Sequence, residues 1–217
     1  MNIDSVLLAI ELIGTVAFAI TGVITAIEKK FDIFGAIVLG TVTAVGGGIV
    51  RDIILGYLPP MAFRKSVYAI TAVITSLVVF VIAYFFVKKI KKHFDVYSQI
   101  INVFDSIGLS VFVIGGVNSA IACGFEENMF LTVFVATLTG VGGGVMRDIM
   151  AGRVPKILRK RVYALAAIVG SVLYYILIHY NLCSSTLAII IGAGSVLIIR
   201  ILATIFHWNL PTVKDID

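Results

Sequence analysis

The chain has 217 residues, of which 60% are hydrophobic and 13% charged, with a mean hydropathy of +1.10. Soluble domains carry about 25% charged residues, so a water-soluble globular domain is excluded, and charges gathered between apolar blocks describe a polytopic membrane protein. The net charge of +5 and pI near 9.2 therefore need no nucleic-acid partner, because Lys and Arg collect at span ends and set orientation.

Seven spans of about 20 residues are predicted, over 4–27, 33–56, 64–87, 98–121, 128–151, 161–180 and 184–206. The first lacks a basic leader and carries Glu11 and Gly14, which predicts a retained helix rather than a signal peptide. Glu28-Lys29-Lys30 closes it, Leu58-Pro59-Pro60 follows the second span, and Lys88-Lys89-Ile90-Lys91-Lys92-His93 closes the third. Cys123-Gly124-Phe125-Glu126-Glu127-Asn128 separates the fourth from the fifth, and Arg153-Val154-Pro155-Lys156 follows the fifth. The sixth ends at His179-Tyr180-Asn181, and His207-Trp208-Asn209 forms an interfacial belt before a cytoplasmic tail, the whole tail being 207–217.

Orientation follows from basic residues. With the N-terminus outside, the inward segments hold Lys29, Lys30, Lys88, Lys89, Lys91, Lys92, Arg153, Lys156, Arg159, Lys160, Arg161 and Lys214, and the outward ones only Arg64 and Lys65. Twelve against two predicts N-out and C-in, in a cell's inner (plasma) membrane.

One motif occurs twice. Gly46-Gly47-Gly48-Ile49-Val50-Arg51-Asp52 returns 96 residues later as Gly142-Gly143-Gly144-Val145-Met146-Arg147-Asp148. The likeness extends outward, from Glu11–Gly22 against Asp105–Gly116 to Arg64–Ala69 against Arg159–Ala164. Residues 4–87 and 98–180 are thus two copies of a three-helix unit, with 184–206 left over. Three is odd, so the second copy enters the membrane from the opposite side. The expected fold is all-α: seven transmembrane helices, as two inverted three-helix repeats plus a seventh helix, with a path at the repeat interface.

Three glycines in a row suit a helix interior poorly, at about 1 kcal/mol each relative to Ala. They predict either a kink that turns backbone groups into a path or a close helix–helix contact. Arg51 and Arg147 either snorkel or face that path. Neighbours on a helix diverge by about 100°, so Arg51 need not pair with Asp52. Depth predicts instead two symmetric ion pairs, Glu11–Arg51 outside and Asp105–Arg147 inside. Hydroxyls concentrate on spans 1, 2, 4 and 5, and Thr15, Thr41, Thr43, Ser110, Thr137 and Thr139 are the expected path lining. Each could equally bond its own preceding turn. Spans 3, 6 and 7 are then an outer wall or subunit contact, with Gly192 and Gly194 for close packing.

No enzyme is expected: there is no Ser/His/Asp set, no HExxH and no Walker loop. Cys123 and Cys183 read as free thiols, and His93, His179 and His207 as interfacial residues, leaving no metal site.

The doubled Gly-Gly-Gly-x-x-Arg-Asp on the second and fifth of seven spans resembles the prokaryotic branch of the trimeric intracellular cation (TRIC) channel family, over essentially the whole chain. The resemblance implies a homotrimer in a lipid bilayer with one pore inside each subunit, between the inverted repeats and lined by spans 1, 2, 4 and 5. It implies permeant K+ and, less selectively, other monovalent cations such as Na+, and no cofactor. By motif position the kink and pore residues are Gly46, Gly47, Gly48, Gly142, Gly143 and Gly144, with Arg51, Asp52, Arg147 and Asp148 beside them. Related bacterial sequences are described as glycine transporters, so a secondary transporter of a small zwitterion is the alternative. Animal members carry a lipid-binding lysine motif after span 2; this chain has Arg-Asp there, and lipid regulation is not carried over.

Overall fold

A computed structural model describes residues 3–90, 94–159, 162–206 and 208. Lys91, Lys92, Lys160, Arg161 and Lys214, counted above for orientation, lie outside the described residues, as do His93, His207 and the tail from 209. The helices among the described residues are α1 (Ile3–Glu28), α2 (Ile33–Ile54), α3 (Met61–Arg64), α4 (Ser66–Ile90), α5 (Phe94–Ala122), α6 (Met129–Met150), α7 (Lys156–Arg159), α8 (Val162–His179) and α9 (Ser185–Ile205). Seven of them, all but α3 and α7, are long and apolar enough to cross a membrane. They coincide with the predicted spans to within a few residues. The two four-residue helices were not predicted; each lies between the second and third long helices of its repeat.

Local chemistry is repeated with the sequence. Asp32 caps α2 by accepting from the Gly35 amide at 2.7 Å, and Asn128, its mate, caps α6 from Leu131 at 3.0 Å. Such caps satisfy amides that a helix start leaves without partners. Both helices stop on a glycine with positive φ, Gly56 at 71° and Gly152 at 65°. There Tyr57 donates back to the Asp52 carbonyl and Arg153 to the Asp148 carbonyl, both at 2.8 Å, which closes the helix in a Schellman-type turn.

Within each repeat the first two long helices pack together and the third lies against both: α4 on α1 and α2, α8 on α5 and α6. The repeats meet through α1 on α5 and α2 on α6, and α9 packs on α5 and α8. Both crossing pairs run antiparallel. Along α1 and α5, Glu11 lies against Gly115, Gly14 against Val111 and Phe18 against Gly108. Equivalent residues of the two repeats therefore sit at opposite ends of the bundle.

The glycine triplets do not interrupt their helices. α2 and α6 are unbroken 22-residue α-helices through their glycines. A Cβ on Gly47 would collide with the Thr139 carbonyl, and one on Gly143 with the Thr43 carbonyl. The triplets let two backbones touch, the packing use of small residues in membranes.

Candidate functional site

Charged side chains gather in two places. Near the start of α1, a cavity of about 70 Å³ is lined by Glu11, Thr15, Gly48, Arg51, Asp52, Tyr68 and Ser119, among others. Beyond the other end of the helix crossing, a cavity of about 340 Å³ is lined by Thr25, Glu28, Ile101, Arg147, Asp148, Arg153 and Lys156. We call these the first and second chambers. Thr15 and Thr25 are ten residues apart on α1, so about 15 Å of helix separates them. The contact of α2 and α6 at Gly47 and Gly143 lies between.

Each Arg-Asp pair is a structural clamp. Arg51 Nε donates to Asp52 Oδ1 at 2.7 Å, and Arg147 Nε to Asp148 Oδ1 at 2.9 Å. The other carboxylate oxygen accepts the first amide of the following short helix, Met61 on Asp52 at 2.7 Å and Lys156 on Asp148 at 3.0 Å. Long arginine side chains fold back onto the next residue because the loop brings those amides to the aspartate. The 100° between neighbours on a helix left this pairing open, and both copies make it.

The expected ion pairs divide. Arg147, 1% exposed, donates from Nη1 to Asp105 Oδ1 at 2.8 Å within its own repeat, and to Thr21 Oγ1 of the other repeat at 2.9 Å. Arg51 makes no ion pair with Glu11: no oxygen of Glu11 lies within 4.0 Å of its nitrogens, and Glu11 instead accepts the Tyr68 hydroxyl. The residue equivalent to Thr21 is Gly115, which offers Arg51 no hydroxyl. Tyr163, the mate of Tyr68, faces Asp105 without meeting hydrogen-bond geometry.

The hydroxyls mostly serve their own helices. Thr15, Thr43, Ser110 and Thr139 donate to carbonyls three or four residues back, at 2.6–2.9 Å. Of the six, Thr15 lines the first chamber, while Thr41 and Thr137, repeat mates, are buried hydroxyls without a partner. Thr43 and Thr139 stand at the helix crossing, where their carbonyls meet Gly143 and Gly47. Gly46 and Gly142 pack on Met146 and on the Gly47 backbone, whereas Gly48 and Gly144 leave the space beside Arg51 and Arg147.

Several participants escaped the sequence reading. Arg200 of α9 is 3% exposed, donates to Ser106 Oγ at 3.3 Å and lies 4.6 Å from the Tyr163 ring centroid. Being on the unrepeated helix it has no mate, but a lone arginine within an apolar span is itself a signal. Tyr68 and Tyr163 recur at matching places, and that recurrence could have found them. Lys156, outside the spans, reaches Asn102 Oδ1 at 3.2 Å and Asp105 Oδ2 at 3.8 Å. Burial pushes its ammonium down to about 8, against the opposing pull of Asp105. Arg153 pairs with Glu28 at 2.5 Å.

Among the described residues, no cluster of His, Cys, Asp or Glu is arranged to hold a metal ion, and Cys123 and Cys183 are free.

A family model described as Glycine transporter matches the chain twice, over residues 8–84 and 102–179. A solved TRIC cation channel superposes with a TM-score of 0.82 at 36% identity, covering 99% of this chain and 98% of that one. The chain belongs to the TRIC-like family. A UPF0126 membrane protein of Vibrio cholerae is 36% identical over 208 residues, 96% of this chain and 83% of that protein. The UPF0126 inner membrane protein YadS of Escherichia coli K12 is 34% identical over 203 residues, 94% of each. The two segments matched by the family model each hold one Gly-Gly-Gly-x-x-Arg-Asp of this TRIC-like chain.

Proposed function

We propose that this chain is a cation channel, conducting K+ and less selectively Na+ through each subunit of a homotrimer. It would lie in an inner (plasma) membrane with its N-terminus outside, the first chamber facing out and the second facing in. The observation that carries this reading is the pair of charged chambers towards opposite ends of α1, each lined by residues of both repeats. Buried ionisable groups inside membrane spans are expensive and collect along ion paths. The backbone contact at Gly47 and Gly143 lies between the chambers, and in the channel reading it is the place where the path would be shut. The superposition on TRIC cation channels supports the same reading.

A second reading, transport of a small zwitterion such as glycine, draws on the family model's description and on one feature. The Glu11 carboxylate and the Arg51 guanidinium face the same 70 Å³ cavity without pairing, which could take an ammonium and a carboxylate. Purified protein in planar bilayers decides between them. Discrete unitary K+ currents are expected; glycine counterflow into proteoliposomes without unitary steps would make it a transporter.

A further inference from the structure

The second chamber holds an arrangement that neither reading uses. Asp105 is fully buried, and its two oxygens are treated differently. Oδ1 accepts from Arg147, whereas Oδ2 accepts no hydrogen bond from the protein. Leaving a buried charged acceptor unmade is costly. The group held over Oδ2 is the Lys156 ammonium, 3.8 Å away and just outside hydrogen-bonding distance, with Asn102 Oδ1 on its other side at 3.2 Å. The Lys156 amide is fixed on Asp148, so the side chain reaches in from the chamber wall like a tether.

We propose that Asp105 Oδ2 and Asn102 Oδ1 form a binding site for one partly dehydrated monovalent cation, a site the protein's own Lys156 ammonium fills as a tethered competitor. The place of this site in conduction rests on the channel reading; the binding itself does not. The space an ion needs is the space the ammonium occupies. The charges facing Lys156 argue for a single charge. Asp105 comes from α5, Arg147 and Asp148 from α6, Arg200 from α9, and the paired Glu28 and Arg153 from α1 and the loop after α6. Three carboxylates thus face three guanidiniums, and Lys156 or one K+ brings the same net charge of one. The Tyr163 hydroxyl of α8 faces the same carboxylate.

Lys156 loses its proton near pH 8. Between pH 7 and pH 9 its charged fraction falls from about nine tenths to about one tenth. In bilayers, wild-type K+ conductance should therefore rise about ninefold across that interval, the uncovered fraction setting the scale. Lys156→Ala should already conduct at the high level at pH 7 and stay flat, and Lys156→Arg should stay low at both. A second measurement needs no current: the Tm of detergent-purified protein at pH 7 in KCl against choline chloride. K+ should raise the Tm of Lys156→Ala by about 2–4 °C and leave wild type and Lys156→Arg nearly unmoved. A flat wild-type profile, an unchanged pH rise in Lys156→Ala, or no K+ effect on its Tm overturns the site while leaving the channel reading intact. Absence of any current together with the K+-dependent Tm shift upholds the site and removes the channel.

Discussion

Arg147 is 1% exposed and held by three oxygens, from Asp105, Asp148 and Thr21, whereas Arg51 is 7% exposed and held by Asp52 alone. The difference traces to one substitution between the repeats, a threonine at 21 against a glycine at 115, and to Glu11 being engaged by Tyr68. Removing one partner from a buried ion pair leaves the other uncompensated, at about 3–5 kcal/mol. Arg147→Gln should therefore lower the Tm in detergent far more than Arg51→Gln, whose loss is closer to a single charged hydrogen bond of about 1.5–3 kcal/mol. Equal losses would mean the two sites are energetically alike despite their geometry. Depth along the spans was enough to read the Asp105–Arg147 pair from the sequence. It failed for Glu11–Arg51 because depth says nothing of which third side chain competes. The clamp on Asp52 and Asp148 was equally illegible, since it depends on loops folding back to present the Met61 and Lys156 amides, a tertiary contact with no periodicity.

At the scale of elements, helix propensity and packing give opposite signs for the same substitution. Gly→Ala inside a helix gains about 1 kcal/mol from backbone entropy alone. At Gly47 the added Cβ meets a backbone carbonyl of α6 that has no rotamer to move away, and overpacking of this kind costs about 1–3 kcal/mol. Gly48, one residue on, has its nearest such neighbour at 3.6 Å, the flexible end of Arg51. Gly47→Ala should thus be destabilising and Gly48→Ala neutral or stabilising, by thermal melting of the purified protein. Gly47→Ala and Gly143→Ala together should cost less than the sum of the singles, because both wedge the same crossing and contacting sites couple. Additive losses would separate the two glycines. The long helices were legible because apolar runs of span length, cut by charged and Pro-containing breaks, leave little else to build. The backbone contact of α2 on α6 was not: a Gly triplet permits an interruption or a contact, and the contact depends on the partner helix that arrives opposite.

At the scale of the molecule, the antiparallel passage of α1 on α5 and α2 on α6 puts the two Arg-Asp clamps at opposite ends of one bundle. The odd helix α9 breaks that symmetry, adding Arg200 to the Arg147 end alone. The Arg147 end thereby gains positive charge, and Lys156 and Arg153 stand on the same side. Basic residues are retained on the cytoplasmic side of a membrane, so this is the end expected to face inward. The loop carrying Glu126 and Glu127 lies at the opposite end from the one carrying Val154, since α6 runs between them. Glu127 and Val154 are both exposed and lie outside the helices, which makes them suitable for labelling. With Cys123 and Cys183 replaced by alanine, Glu127→Cys should react with a membrane-impermeant maleimide in intact cells, and Val154→Cys only after permeabilisation. The reverse pattern would turn the molecule over, placing the crowded Arg147 chamber at the outer mouth and Lys156 under the control of external pH. Labelling of both from outside would mean two orientations coexist, which twelve basic residues against two should prevent.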